Sequence, residues 1–290
     1  MKKLLAILPL LAVFICSTNC TDKTADNGAT SAFDADTVIL DQDQYVRFET
    51  TAGNFTIKLY RETPLHRHNM VRYARHGKYD GQLFFGVQKG YKIQCGDVNS
   101  VGAPKGRELG IEEEFDTIAS EIQPTRFYHK KGAVGQASLT QFHYSTSQQF
   151  YIVTGSKASV TQLTNQEKTI NKRYRQAVKD SLTQPYANDL RQWQKYKESK
   201  KISKLNTQLN KETDAIMAKR QKFTYSQEQV NEYVSNGGTP SLDGLYTVFG
   251  EVVEGYEVIE KICNSHTDSH YRPDPDVKIL HAYVLDATQL

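Results

Sequence analysis

The residues of this chain whose types and spacing could do chemistry gather in the run 79–97, which reads Tyr-Asp-Gly-Gln-Leu-Phe-Phe-Gly-Val-Gln-Lys-Gly-Tyr-Lys-Ile-Gln-Cys-Gly-Asp. Two short apolar strands are predicted in it, around 83–87 and 91–94, joined by a turn at Lys89-Gly90 and closed by Gly96-Asp97. Tyr91 and Gln94 offer a ring and an amide, groups that hold a ligand and direct hydrogen bonds at it. They lie three apart, so an ideal strand would send them to opposite faces, and a shared cleft requires a twist or bulge there.

Other chemistry-bearing residues point away from metal or redox work. The four cysteines, at 16, 20, 95 and 263, show no Cys-x-x-Cys or Cys/His spacing, and Cys95 and Cys263 are expected as two separate thiols. His66 and His68 lie two apart on a predicted helix, where side chains do not face each other, so a solvated face is expected. His266 and His270 flank Asp268 in a loop-like stretch with no further ligands in register, which reads as surface loop. No metal site and no cofactor are expected.

The elements that must position such a site are legible in part. At 290 residues the chain is long enough for a large core, and its composition is that of an ordinary soluble globule. Its net charge of +3 is uneven: residues 157–222 hold 16 Lys and Arg against 6 Asp and Glu, a net +10 that leaves −7 elsewhere. From Tyr45, the alternation of Val46 and Phe48, then Phe55, Ile57 and Leu59 across Ala52-Gly53-Asn54, reads as a β-hairpin. Thr63-Pro64 reads as the start of a helix, with Thr63 as N-cap and Pro64 at the first helical position, running to about His76. Within 156–238, Ile170, Tyr174, Val178 and Leu182 recur every four residues, and Ile202, Leu205, Leu209 and Ile216 keep helical spacing. An antiparallel helix pair is expected, with Ser226-x-x-Gln229 as the capping box of a third short helix ending at Asn236-Gly-Gly238. Trp193, the single tryptophan, is expected in the core.

The N-terminal stretch reads as a bacterial export signal: a cationic Met1-Lys2-Lys3 precedes an apolar run, 4–16, too short to span a bilayer as a helix. Cys20 follows Ser17-Thr18-Asn19, an arrangement similar to a lipobox, with Cys16 as the rival. A signal over 1–19, lipidation at Cys20 and a flexible tether over 20–44 are therefore expected, the last because few large apolar residues occur there. The protein is expected to be exported and lipid-anchored to the cell envelope.

The run 79–97 resembles the signature of the cyclophilins, Phe-His-Arg-Val-Ile-Pro-Gly-Phe-Met-x-Gln-Gly-Gly-Asp. Phe84, Val87, Gly90, Gln94, Gly96 and Asp97 match it, and Tyr91 stands for its aromatic residue. Thr63-Pro64, Asn69 and Tyr79-Asp80-Gly81 are similar to further family positions, as are Gly132-Ala-Val-Gly-Gln-Ala-Ser138, Gln148-Gln-Phe-Tyr-Ile152 and Leu242-Asp-Gly-Leu-Tyr-Thr-Val-Phe-Gly250. Residues 251–262 and 276–285 fit the family's last helix and closing strand. The resemblance implies a mainly β fold, a closed eight-stranded antiparallel barrel with two capping helices, formed by 45–155 and 239–290. The α-helical segment 156–238 would be inserted into it.

The same resemblance implies a peptidyl-prolyl isomerase whose partners are proline-containing unfolded or extended polypeptides. Rotation about an X–Pro bond must break amide resonance, a barrier of roughly 18–20 kcal/mol. A donor aimed at the prolyl nitrogen of the twisted state, in an apolar pocket that grips the ring, lowers it. By resemblance, Tyr91, Tyr151, Leu242 and Tyr246 form the ring pocket, with Lys92 replacing the family's Met. Gln94 orients the donor and contacts the substrate carbonyl. Ala137, Ser138 and Gln149 hold the residues before proline. Two departures bear on turnover: Phe85 stands where the family has His, and Gly86 where it has its principal catalytic Arg. Lys92, Arg107 and Arg126 are the surrogate donors to consider. A non-catalytic module that binds proline peptides through the same cleft is the alternative reading. The basic helical segment could meet an acidic partner or lipid headgroups, and no nucleic-acid partner is expected.

Overall fold

The computed structural model describes residues 42–111, 116–138 and 144–285. The leader, Cys16, Cys20 and the tether to residue 41 lie outside them.

Chain order begins with the predicted hairpin, β1 (Gln44–Thr50) and β2 (Gly53–Leu59). Val46, Phe48, Phe55, Ile57 and Leu59 are all fully buried on its inner face, and the rings of Phe48 and Phe55 stack at 5.1 Å. Helix α1 (Pro64–Arg75) follows with Pro at its first position, but Thr63 makes no side-chain cap. Its hydroxyl turns back to the Tyr60 carbonyl, while the Glu121 carboxylate accepts from the first-turn amides of Leu65 and His66. The cap therefore comes from a distant segment.

That same carboxylate overturns the expectation for His66. Its ring is fully buried, with Nδ1 2.6 Å from Glu121 and Nε2 3.0 Å from the Ser145 hydroxyl. The solvated face expected there gives way to a buried polar seam between α1 and its neighbours.

Next come β3 (Gly86–Gln88), β4 (Lys92–Cys95), β5 (Thr117–Ala119), β6 (Ala133–Gln136), β7 (Tyr144–Thr146) and β8 (Phe150–Val153). The chain then turns helical: α2 (Val160–Thr183), α3 (Ala187–Lys195), α4 (Ser199–Ala218) and α5 (Gln227–Ser235). It ends with β9 (Val248–Glu254), α6 (Tyr256–Cys263) and β10 (Ile279–Val284). The expected last helix thus starts later, because 251–254 complete β9 against β2 and β6.

Eight strands form one antiparallel sheet in the order β10-β1-β2-β9-β6-β8-β4-β3, while β5 and β7 pair apart. The sheet curls into a half-barrel, and the closed barrel expected from the sequence does not form: β10 and β3 do not pair as strands. β3 is only three residues long, so the backbone at 81–84 spans the gap as loop. Gly81 N donates to Ile279 O at 2.8 Å, Ile279 N to Gln82 O at 2.8 Å and Phe84 N to Val277 O at 3.0 Å. The inner face of the sheet, α1 (Met70, Val71, Ala74) and α6 (Val258, Ile259, Ile262) share one apolar core. Cys95 and Cys263 are two buried free thiols, as expected.

In the helical part, α2 and α4 run antiparallel, with Asn171 bonded to Phe223 and Arg175 paired with Asp214 at 2.9 Å. The capping box of Ser226 and Gln229 opens α5 as predicted. Trp193 departs from expectation: it sits half-buried on α3 with Lys201 Nζ 5.8 Å from its ring, outside the core. Entry and exit of the segment touch, since a Cβ on Gly155 would lie 2.1 Å from Gly238 O, an approach only glycine permits.

Candidate active site

The cleft is built on β4 and β8, where Gln94 pairs with Tyr151 and Lys92 with Val153. Lys92 and Gln94 lie two apart on one strand and so share a face. Tyr91 precedes the strand, in the turn, and reaches the same side without any bulge: Lys92 Nζ is 5.9 Å from its ring.

Three side chains form a polar row. Lys92 Nζ donates to Gln94 Oε1 at 2.7 Å, and Gln94 Nε2 donates to Gln149 Oε1 at 2.8 Å. An ammonium can only donate, so it fixes the Gln94 amide, which in turn fixes Gln149. Gln149 Nε2 is left buried with no partner among the described residues. Burial pushes the Lys92 amine down to about 8, and its Nζ stands 4.7 Å over the ring of Tyr151.

Beneath this row lies an apolar cluster of Ala137, Tyr151, Leu242 and Val248, with Tyr91 and Tyr246 packed against it. Tyr246 meets Tyr151 edge-on at 6.0 Å. Tyr151 is itself sandwiched, since a Cβ on Gly135 would fall 2.4 Å from its ring. The structure therefore brings together Tyr91, Lys92, Gln94, Ala137, Gln149, Tyr151, Leu242 and Tyr246. Ala137 spends its amide N–H on Gln149 O at 2.9 Å, which leaves its methyl facing the cluster. The Ser138 hydroxyl donates to Tyr144 O at 2.7 Å.

Gly86 lies opposite Gln94, and a Cβ there would stand 3.3 Å from the Gln94 Cβ. Phe85 is buried beneath Gly110, whose own Cβ would strike its ring at 2.4 Å. Of the surrogate donors, Arg126 pairs with Glu62 and covers Phe127, while Arg107 is exposed on its loop. Lys92 alone of the three bonds to Gln94.

Nothing in the sequence pointed to a chain of polar residues that backs the Tyr151 hydroxyl. The Tyr151 hydroxyl is 2.8 Å from His129 Nε2, and His129 Nδ1 is 2.8 Å from Asp243 Oδ1. The carboxylate oxygen accepts from Nδ1–H of His129, and the other ring nitrogen shares a hydrogen bond with the Tyr151 hydroxyl. Asp243 is fully buried and also accepts from the hydroxyls of Tyr225 and Tyr233, each at 2.6 Å. Burial, reinforced by that carboxylate, pushes the phenols of Tyr225 and Tyr233 far up. Asp243 lies within a quoted motif, but nothing in the spacing joins it to His129, 114 residues away.

Comparison with known proteins agrees with the fold. The cyclophilin type peptidyl-prolyl cis-trans isomerase family model matches residues 45–176 and 172–284, two runs that meet within α2. The chain therefore belongs to the cyclophilin-type peptidyl-prolyl cis-trans isomerase family. A putative peptidyl-prolyl cis-trans isomerase of Staphylococcus haemolyticus is 25% identical over 244 residues, 83% of this chain and 91% of that protein. The NK-tumor recognition protein of Mus musculus is 42% identical over 74 residues, 26% of this chain and 5% of its own length. A crystal structure of a Cryptosporidium parvum cyclophilin type isomerase aligns over 84% of this chain and 99% of its own, at 19% identity and a TM-score of 0.47.

Proposed function

We propose that this protein isomerises X–Pro bonds in exported polypeptides and that Lys92 is the donor in place of the family's Arg. The observation that carries this is the row Lys92, Gln94, Gln149 set over the ring of Tyr151. A proline ring seated on Tyr151, Leu242 and Tyr246 brings its nitrogen within reach of the ammonium. Gln94 and Gln149 hold the carbonyl before it, and Tyr91 closes the side. The ammonium is preorganised by Gln94 and partly stripped of water, so it stabilises the pyramidal nitrogen more than the planar one.

Substitution of Lys92 distinguishes this from the non-catalytic reading, which the absence of Arg at 86 favours. Lys92→Met keeps an unbranched chain one atom shorter but removes the donor, and kcat/KM for a proline peptide should fall by about 10²–10³. Adding Gly86→Arg to Lys92→Met should restore most of it, since the backbone at Gly86 lies outside the left-handed region and the Gln94 Cβ, 3.3 Å from the added Cβ, need yield only by a few tenths of an ångström. Equal, measurable rates with and without Lys92→Met would remove Lys92 as the donor, and no turnover by the unaltered chain would leave a cleft that only binds.

The same reading assigns a place of action: export through the leader over 1–19, lipid attachment at Cys20 and folding assistance to clients at the cell envelope.

A further inference from the structure

Beside the cleft runs a groove of about 440 Å³ that the proline-binding reading leaves unused. One wall is Gly90 and Tyr91, the floor is Thr239, Pro240 and Ser241, and the far wall is α2 through Gln162, Asn165, Gln166 and Thr169. Those four positions fall on one helix face, while Leu163 and Ile170 turn the other way into the core of the helical segment. The floor is pinned to both walls: Thr239 Oγ1 donates to Tyr91 O at 2.9 Å, and Gln166 Nε2 lies 3.5 Å from Asp243 O.

Strand register gives the groove a direction. Along β4 and β8 the pairs run from Gln94 and Tyr151 to Lys92 and Val153, and then Thr154 N donates to Tyr91 O at 3.1 Å. The groove thus opens at the end of the cleft remote from Gln149. With the residues before proline on Gln149, the residues after it leave past Tyr91 and Ser241. We infer that this groove is a second subsite that takes the residues following the proline of a bound polypeptide and favours acidic ones among them.

The chemistry matches. Amide and hydroxyl side chains both donate and accept, as an extended backbone requires. Residues 162 to 169 rise about 10 Å along the helix, room for roughly three extended residues. Lys157 is the one Lys, Arg, Asp, Glu or His among the lining residues, and it is exposed.

This inference rests on the proline-peptide reading, and the test separates the two. The full chain is titrated with a peptide ending at its proline and with the same peptide carrying three more residues, Glu-rich or Lys-rich. Turnover is followed on each by exchange NMR. The extension should tighten binding about tenfold, the yield of a few hydrogen bonds. Glu should be preferred to Lys by about three-fold, and Lys157→Glu should reverse that preference. Equal affinity for short and extended peptides, or a preference indifferent to Lys157→Glu, overturns the subsite even if turnover is intact. Extension-dependent binding without turnover overturns the isomerase reading and upholds the subsite. No binding to either peptide sinks both.

Discussion

On the proposed reading, the half-buried amine of Lys92 carries the chemistry of the site. Its pKa of about 8, set by desolvation, leaves it mostly charged near neutrality yet poorly hydrated, the state in which an ammonium donates most strongly. Since only the charged form donates to the prolyl nitrogen, kcat/KM should fall as pH rises through about 8. A pH profile checks this, and the paired Gly86→Arg, Lys92→Met variant should lose the decline, because guanidinium stays charged. Stability has the opposite sign. The folded value lies below the ordinary 10.5, so between about 8 and 10.5 the unfolded chain holds more protons, and this residue's contribution to stability rises with pH. Gln94 positions the ammonium through its carbonyl oxygen, while the lowered pKa itself comes from desolvation.

At the scale of elements, the cleft is a joint product of the sheet and the helical segment. β8 supplies Tyr151, but α5 and the stretch before it supply the hydroxyls of Tyr233 and Tyr225 that hold Asp243, and Asp243 holds His129 against Tyr151. Removing one hydroxyl leaves a buried carboxylate oxygen with one donor fewer, a loss of about 1–3 kcal/mol. Tyr225→Phe and Tyr233→Phe should therefore each lower the unfolding free energy by that order and shift the denaturation midpoint down accordingly. The double variant should cost more than either alone, measured by denaturant unfolding with the m-value held as a control. Phe keeps the rings, which pack edge-on at 5.7 Å, so the loss reports the hydroxyls and not a cavity. Helix α1 makes the same point: its expected cap at Thr63 is replaced by Glu121, which no local pattern could reveal.

For the molecule as a whole, anchoring at Cys20 is a separable claim. Cys20→Ser should release the protein from the membrane fraction into the soluble one, with unchanged turnover in the released form; continued sedimentation with membranes would count against lipidation there. The β1–β2 hairpin and the strand on either side of the Lys89-Gly90 turn were legible from local pattern, because alternation and turn residues are properties of short stretches, whereas Tyr91, Gln94, Gln149 and Tyr151 were named together only through the family resemblance. The helix pair and both ends of α5 were legible for the same reason, as side chains three and four apart share a face whatever surrounds them. Only the tertiary structure decided the rest. It left the sheet open at a three-residue β3, buried His66 against Glu121, set Lys92 on Gln94 and joined Asp243 to His129 and two tyrosines. Each of these depends on groups brought together from distant segments or on burial, and it is desolvation in the folded chain, invisible to any local pattern, that lowers the Lys92 amine.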